Sequence, residues 1–222
     1  MPNAPFQFGN FLFAAFALGA VTLGVLAANS DHKFASASPA HDIPENSVWT
    51  ETIEYYSFSA DDLRSAHASM FEASPIVIDG RKFSGLMEWE WEWRAAYDTA
   101  DGNCAPGRIV TRASSNITLP KWTSYEDASY QDRVEWDRAS QVLLRHEKKH
   151  ETIAKMAVKE FERKANRLPA AAECETLTAQ INDLFDRYMK QANTQNKSYD
   201  RRTDHGRTEG AKLRLPNFSA GY

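Results

Sequence analysis

The sequence predicts an α+β domain in which a small antiparallel sheet packs against one long helix and a second, C-terminal helix. The first half of the domain alternates apolar and polar residues, the period of a half-buried strand. The second half changes to helical spacing and contains neither Gly nor Pro from Arg133 to about Leu168. A chain of 222 residues has room for one such domain with terminal appendages.

Two segments of the first half are predicted strands, "VWTETIEYYSF" and "GRIVTRASSNITLPKW", the second ending at Pro120. Between them, Trp89, Trp91 and Trp93 alternate with glutamates, so the three indoles share one face of a further strand. We interpret this face as the surface on which the sheet packs against a helix. The alternative is an aromatic platform that stacks on a ligand.

The second half predicts two helices. The first contains the apolar residues Val142, Leu143, Ile153, Ala154, Ala157 and Phe161, and ends before Pro169. The second is predicted from about Ala172 to Ala192. The polar segment that follows is predicted to be irregular.

The N-terminus differs in composition from the rest of the chain. Residues 1–30 are predicted to be a signal peptide or an N-terminal membrane anchor, because residues 11–28 are apolar and uncharged. That run is near the minimum length for crossing a bilayer. Residues 31–46 are a predicted flexible linker and residues 47–217 the folded domain. We expect a periplasmic or secreted protein, anchored to the inner membrane by residues 11–28 if they are not cleaved.

Charge and cysteine content narrow the class further. A formal net charge of -4 argues against nucleic acid as a partner, because phosphate binding requires a basic surface. The two cysteines, Cys104 and Cys174, are expected to form a disulfide in an exported protein. Two free, buried thiols are the alternative.

The segment "HEKKH" is the strongest functional signal. His146 and His150 are four residues apart on the long helix, so their rings project in one direction and can converge on a metal ion. Glu147 lies beside them and can act as general base toward a water molecule that Zn²⁺ acidifies. The motif predicts one Zn²⁺ per chain. The alternative is a polar helix surface.

A catalytic zinc takes three protein ligands, and the sequence leaves the third open. The motif HExxHxxGxxH is excluded, because Ile153 and Met156 stand where Gly and His are required. We favour His205, which lies in the glycine-containing segment near the C-terminus. The alternatives are four carboxylates: Asp200, Asp204, Glu173 and Glu175.

Beyond these individual signals, the chain resembles a bacterial family, domain of unknown function 922, whose members are predicted to be secreted zinc-dependent proteases. The resemblance covers about residues 48–213 and includes the first cysteine before "LPKW", then "HEKKH" and "YDRRTDHGRTEGA". It implies a zincin-like fold and supports His205 as a zinc ligand. Tyr199 can take the role of an oxyanion donor that other zincins give to Tyr or His; a packing role is the alternative. The most specific positions are Tyr199, Asp200, Thr203, His205 and Gly206.

These observations together predict an exported zinc metallopeptidase that hydrolyses peptide bonds of a protein or peptide substrate. Two alternatives share the zinc site. One is a non-catalytic periplasmic zinc-containing scaffold that binds a glycan or partner through the tryptophan face. The other is a zinc amidase that acts on cell-wall peptide.

Overall fold

The computed structural model describes residues 9–15, for their backbone, and residues 46–215. The predicted α+β class is confirmed. In chain order the helices and strands are β1 (Gly9–Ala15), β2 (Val48–Phe58), α1 (Leu63–Ala73), β3 (Val77–Ile78), β4 (Arg81–Lys82), β5 (Gly85–Asp98), β6 (Ala105–Trp122), α2 (Tyr130–Ala165) and α3 (Cys174–Thr203). Short 3-10 turns occupy Tyr125–Asp127 and Arg207–Glu209.

The main sheet has the strand order β1-β5-β6-β2, and β3 pairs with β4 in a separate small hairpin. β5 is antiparallel to both β1 and β6. The one departure from the expected antiparallel sheet is the pairing of β2 with β6, which is parallel. Parallel neighbours need a long connection, and here α1 and the strands β3 to β5 supply it. β6 also continues past Pro120 to Trp122, paired with the end of β2 at this edge of the sheet.

The tryptophan face of β5 is covered by the two long helices. Trp89, Trp91 and Trp93 are each no more than 2% exposed. The ring of Trp91 stacks on Phe185 of α3, with 4.6 Å between centroids, and meets Phe161 of α2 edge-on at 5.0 Å. The sheet-on-helix interpretation is therefore confirmed, and this face is not open to a glycan or a partner.

α2 begins and ends earlier in the chain than predicted, and α3 ends later. α2 begins at Tyr130, where the side chain of Ser129 accepts a hydrogen bond from the backbone N–H of Asp132. α3 continues past the predicted end at Ala192 to Thr203. Its last turns bury polar side chains on the same face that carries the apolar residues, namely Asn196, Tyr199, Asp200 and Thr203. That face contacts α2.

A disulfide fastens the sheet to the second helix. The sulfur atoms of Cys104 and Cys174 lie 2.03 Å apart, the pairing predicted for these cysteines. Next to it, Cys104 and Ala171 form an antiparallel bridge with hydrogen bonds of 2.7 and 2.8 Å. The start of β6 and the start of α3 are therefore joined covalently and by backbone pairing. A disulfide of this kind suggests an oxidising, extracytoplasmic environment.

The N-terminal prediction falls mostly outside the described residues. Residues 9–15 form β1, which runs along β5 from Gly9 opposite Trp91 to Ala15 opposite Gly85. The remainder of the predicted signal or anchor, and the linker up to residue 45, lie outside the described part of the chain. Among the helices of the described residues, none has the length and apolar character needed to cross a membrane.

Replacing both cysteines, Cys104→Ser with Cys174→Ser, should lower the free energy of unfolding by about 4 kcal/mol, because the disulfide closes a 70-residue separation and restricts the unfolded chain. Urea unfolding of the oxidised protein and of the variant measures the difference. Wild-type protein treated with a reductant is the control and should match the variant. Identical urea midpoints for all three samples would contradict the prediction.

Candidate metal centre

α2 places the "HEKKH" segment against α3, inside the protein. His146, Glu147 and His150 are at most 1% exposed. The two histidines lie one helical turn apart, with ring centroids separated by 4.8 Å. The polar-surface alternative for this segment is therefore wrong, because all three side chains are buried.

Asp200 of α3 completes a cluster of three possible ligands with the two histidines. Its Oδ1 lies 3.2 Å from His146 Nε2 and 2.9 Å from His150 Nε2, and the two Nε2 atoms are 3.2 Å apart. In a tetrahedral zinc site with bonds of about 2.0–2.1 Å, neighbouring ligand atoms are about 3.3 Å apart. The three atoms therefore have the spacing that a small metal ion requires.

Hydrogen bonds to the outer nitrogens fix the orientation of both rings. His146 Nδ1 lies 2.9 Å from Glu209 Oε2, and His150 Nδ1 lies 3.0 Å from Asn196 Oδ1. Both oxygens accept, so each Nδ1 carries a proton and donates it. A neutral imidazole that donates from Nδ1 has its lone pair on Nε2, which here faces Asp200. Three acceptors this close repel one another unless a cation lies among them, and hydrogen bonds of this kind are typical of metal-ligating histidines.

When the cluster binds protons and no metal ion, the negative charge of Asp200 offsets the positive charge of a protonated imidazole. Burial raises the pKa of its carboxyl group, but hydrogen bonds with His146 and His150 outweigh burial and hold that pKa below its ordinary value. Burial lowers the pKa of His150, yet the hydrogen bond and charge of Asp200 reverse this and raise it. The site therefore favours a positive charge between Asp200 and the two imidazoles.

Glu147 is buried beside this cluster without a side-chain hydrogen-bond partner. Among the described residues neither of its carboxylate oxygens makes a hydrogen bond of full geometry, although the backbone N–H of Met87 is close enough to lower the pKa of Glu147. Burial raises the pKa of Glu147 to about 8, while the charge of His150 works in the opposite direction. β5 approaches closely here: a Cβ at Gly85 would come within 2.9 Å of both Glu147 Oε1 and Leu143 Cδ1. Such an orphaned buried carboxylate is uncommon outside functional sites.

His205, the favoured third ligand of the sequence analysis, lies at the edge of the cluster and is not part of it. Its Nδ1 is 3.7 Å from Asp200 Oδ1, and its side chain is 35% exposed. Asp204, His205 and Gly206 have positive φ angles of 48°, 52° and 80° and turn the chain sharply at the end of α3. Asp200, an alternative in the sequence analysis, is the residue that the structure groups with the two histidines as a possible ligand, and His205 as a ligand stays a prediction.

The other carboxylate alternatives lie away from the cluster. Glu173 and Glu175 flank the start of α3, and Asp200 follows more than six turns later, about 37 Å along the helix axis. The carboxylate of Asp204 pairs with Arg207. Glu173 and Glu175 are therefore too far from the two histidines to share a metal ion with them, and Asp204 is not a member of the cluster.

Tyr199 packs on the cluster through its ring. The ring stacks on His146 with 4.8 Å between centroids and meets His150 edge-on at 5.1 Å. Its hydroxyl donates to Glu209, 2.9 Å from Oε1 and 3.0 Å from Oε2. The structure therefore shows Tyr199 orienting the carboxylate that holds His146. Donation to an oxyanion remains a prediction.

Sequence reasoning missed two residues that orient the histidines, Asn196 and Glu209. Asn196 lies four residues before Asp200, so it continues the inward face of α3 by one turn. That spacing was a usable signal, because the apolar residues Leu177, Ile181, Phe185, Met189 and Ala192 precede it on the same face. Glu209 had no periodic signal, since a turn brings it back to the cluster.

A family model described as "Bacterial protein of unknown function (DUF922)" matches residues 53–206, more than half of the chain. The matched range includes His146, Glu147, His150 and Asp200, and ends before Glu209. Comparison with curated proteins and with solved structures finds no match.

Asp200→Ala should remove bound metal, whereas His205→Ala should retain most of it, because only Asp200 places a ligand atom beside the two Nε2 atoms. Removing one of three ligands is expected to weaken binding by well over the 10–100-fold that an outer-shell change costs. Elemental analysis of the purified proteins after dialysis measures metal per chain. Equal metal loss in both variants, or loss only in His205→Ala, would contradict the ligand set.

In protein stripped of metal by a chelator, Glu147→Gln should raise the free energy of unfolding, and the gain should grow with pH. The pKa of Glu147 rises from 4.5 to about 8 on folding. Between these values the folded state keeps a proton that the unfolded state has lost. Wild-type stability therefore falls with pH, by up to about 1.4 kcal/mol per pH unit for this group, and glutamine removes the loss.

Urea unfolding of both stripped proteins at about pH 5 and about pH 8 measures the gain. The exposed Glu160→Gln is the matched control on the same helix and should show no such gain. A stability difference between Glu147→Gln and wild type that is the same at both pH values would refute the prediction.

Proposed function

We propose, for a chain that belongs to the bacterial family of unknown function DUF922, that it is a zinc-dependent peptidase acting outside the cytoplasm. His146, His150 and Asp200 would hold the zinc, and Glu147 would serve as general base. The observation that carries this proposal is the fully buried carboxylate of Glu147, which has no side-chain hydrogen-bond partner among the described residues and interacts with the charges of His150 and Asp200.

The number of ligands supports a catalytic site over a structural one. Structural zinc sites are closed by four protein ligands, while catalytic sites keep one position open for water or substrate. Within residues 9–15 and 46–215, the group of possible ligands around His146 contains three members. A carboxylate that serves only structure would be expected to have hydrogen-bond partners, and Glu147 has no side-chain partner in this part of the chain.

The donor set alone allows two metals. Two imidazoles with one carboxylate form open sites for zinc and also for non-haem iron. The position of Glu147 favours zinc, because HExxH places a base immediately beside the first ligand, as metallopeptidases require. Elemental analysis of the purified chain distinguishes the two metals directly.

Peptide hydrolysis assigns a separate task to each residue. When bound, zinc supplies Lewis acidity that acidifies a water molecule and polarises the scissile carbonyl. Glu147 accepts the proton of the attacking water and delivers it to the leaving amine. Glu209 and Asn196 keep the Nδ1 protons of the two histidines in place, so that both Nε2 lone pairs stay on the metal side. Tyr199 holds Glu209 in turn.

Two features of the chain support a place of action outside the cytoplasm. The disulfide Cys104–Cys174 is stable where thiols are oxidised, and the apolar residues 11–28 predict export. We therefore propose that the substrate is a protein or peptide in the periplasm or the medium.

Glu147→Gln should reduce peptide hydrolysis by at least about a hundredfold while leaving zinc bound, because glutamine keeps the shape of the side chain but cannot accept a proton. The assay follows release of new amino termini from an unfolded protein such as reduced casein. Zinc per chain is measured on the same samples.

Glu160→Gln is the control for purification and folding, and it should hydrolyse at the wild-type rate. Wild-type activity in Glu147→Gln would remove its assigned role. A wild-type protein that binds one zinc but releases no amino termini from any substrate would refute the peptidase and favour a non-catalytic zinc protein.

A further inference from the structure

A deep, mostly apolar pocket opens next to the metal cluster. Its volume is about 340 Å³, within the range of cavities that bind small molecules or large side chains. Its walls come from α1, α2, β4, β6, the residue before β5 and the segment after α3. The larger apolar residues of the lining are Met70, Phe71, Pro120, Trp136, Leu143 and Leu213.

The pocket shares two walls with the cluster. Leu143 lines the pocket and lies one helical turn before Glu147, and the two side chains flank the same glycine, Gly85. Ala211 lines the pocket from the other side, and its Cβ and the His146 ring both lie about 3.3 Å from the position of a Cβ at Gly206. A side chain bound in this pocket would therefore lie one layer of residues away from Glu147 and His146.

The charged residues of the pocket are all basic: Arg81, Lys82, Arg207 and Lys212. Arg207 is paired with Asp204, and Lys82 donates to the backbone carbonyl of Glu72. Lys212 is exposed, and together with burial its charge lowers the pKa of His67, which also lines the pocket. An apolar cavity with a positive rim is complementary to an apolar group that carries a carboxylate next to it.

We propose that this pocket binds a large apolar side chain of the substrate, followed by a carboxylate held at the basic rim. This inference rests on the proposed peptidase function and specifies its substrate. The carboxylate has two possible sources, an acidic residue next in the chain or the free C-terminus of the peptide. Both present the same group to Lys212, and a peptide panel separates them.

The test measures binding of short fluorescein-labelled peptides to full-length Glu147→Gln protein loaded with zinc, by fluorescence anisotropy. The first peptide contains Phe-Asp flanked by Gly, Ser and Ala residues. Two comparison peptides have the same flanking residues but contain Ala-Asp or Phe-Asn instead. Loss of the Phe side chain should weaken binding by about tenfold or more. Loss of the charge should weaken it by about threefold, less at high salt. Peptides that end in Phe, free or amidated, test the terminal carboxylate.

Two protein variants test the pocket itself. Ser140→Phe places a ring in the cavity that Ser140 lines and should abolish the preference for Phe over Ala. Lys212→Glu should remove or reverse the preference for Asp over Asn. The matched control is Lys159→Glu, an exposed charge reversal on α2 about 24 Å along the helix from Leu143, which should leave both preferences unchanged. Thermal unfolding and zinc content confirm that each variant is folded.

The outcomes separate this inference from the proposed function. Selective binding of Phe-Asp that both pocket variants abolish supports the pocket, even if wild-type protein cleaves nothing. Efficient cleavage by wild type with equal affinity for all peptides overturns the pocket and leaves the peptidase intact. If Ser140→Phe unfolds, the Lys212→Glu and Lys159→Glu pair decides alone: equal effects of the two overturn the proposal.

Discussion

The contact between the polar faces of α2 and α3 is the constraint on which the rest of the site depends. It buries two imidazoles, two carboxylates and an amide, namely His146, His150, Glu147, Asp200 and Asn196. Burial of such groups is costly unless each is hydrogen-bonded or paired with an opposite charge. Hydrogen bonds satisfy the outer nitrogens of both histidines. The inner nitrogens contact Asp200 and each other, and a cation among them would offset their repulsion, so the fold and the candidate metal site depend on the same contact.

The remainder of the fold positions that contact. The tryptophan face of β5 packs on Phe161 and Phe185, one from each helix, and so holds α2 and α3 at a fixed distance above the sheet. The disulfide anchors the start of α3, while the cluster lies near its end. The core between the disulfide and the cluster is closely packed. Because such a core leaves little freedom for one helix to slide past another, it keeps α3 aligned with α2. The ligand atoms are thus placed by apolar contacts more than one turn away from them.

The sequence predicted the helix that carries the two histidines, but not which residue of α3 packs against them. Helical spacing alone brought His146 and His150 together, since local geometry fixes residues four apart. The third ligand depends on where a second helix ends and which of its faces meets the first. The hydrophilic composition of "NKSYDRRT" predicts an irregular segment, whereas these residues form the last turns of α3 with a buried polar face. The helical period of the apolar residues of α3 continues through Asn196, Tyr199 and Asp200, so the spacing indicates a helix where the composition does not.

The parallel pairing of β2 with β6 had no local signal either, because it is fixed by a connection through four intervening elements.

The segment after α3 joins the two halves of the candidate site. Gly206 has a φ of 80°, and a Cβ there would lie 3.2 Å from His146 Cγ, so a larger residue at this point of the turn would be strained and would crowd the His146 ring. The turn returns Glu209 to His146 and then places Ala211 and Leu213 in the pocket wall. Arg138 of α2 fastens this segment through hydrogen bonds to the backbone carbonyls of Gly210 and Lys212. Because the residue that orients a metal ligand and the residues that line the pocket lie within one short, fastened segment, a shift of either would displace the other. The geometry that arranges the candidate metal ligands is therefore also the geometry that shapes the pocket.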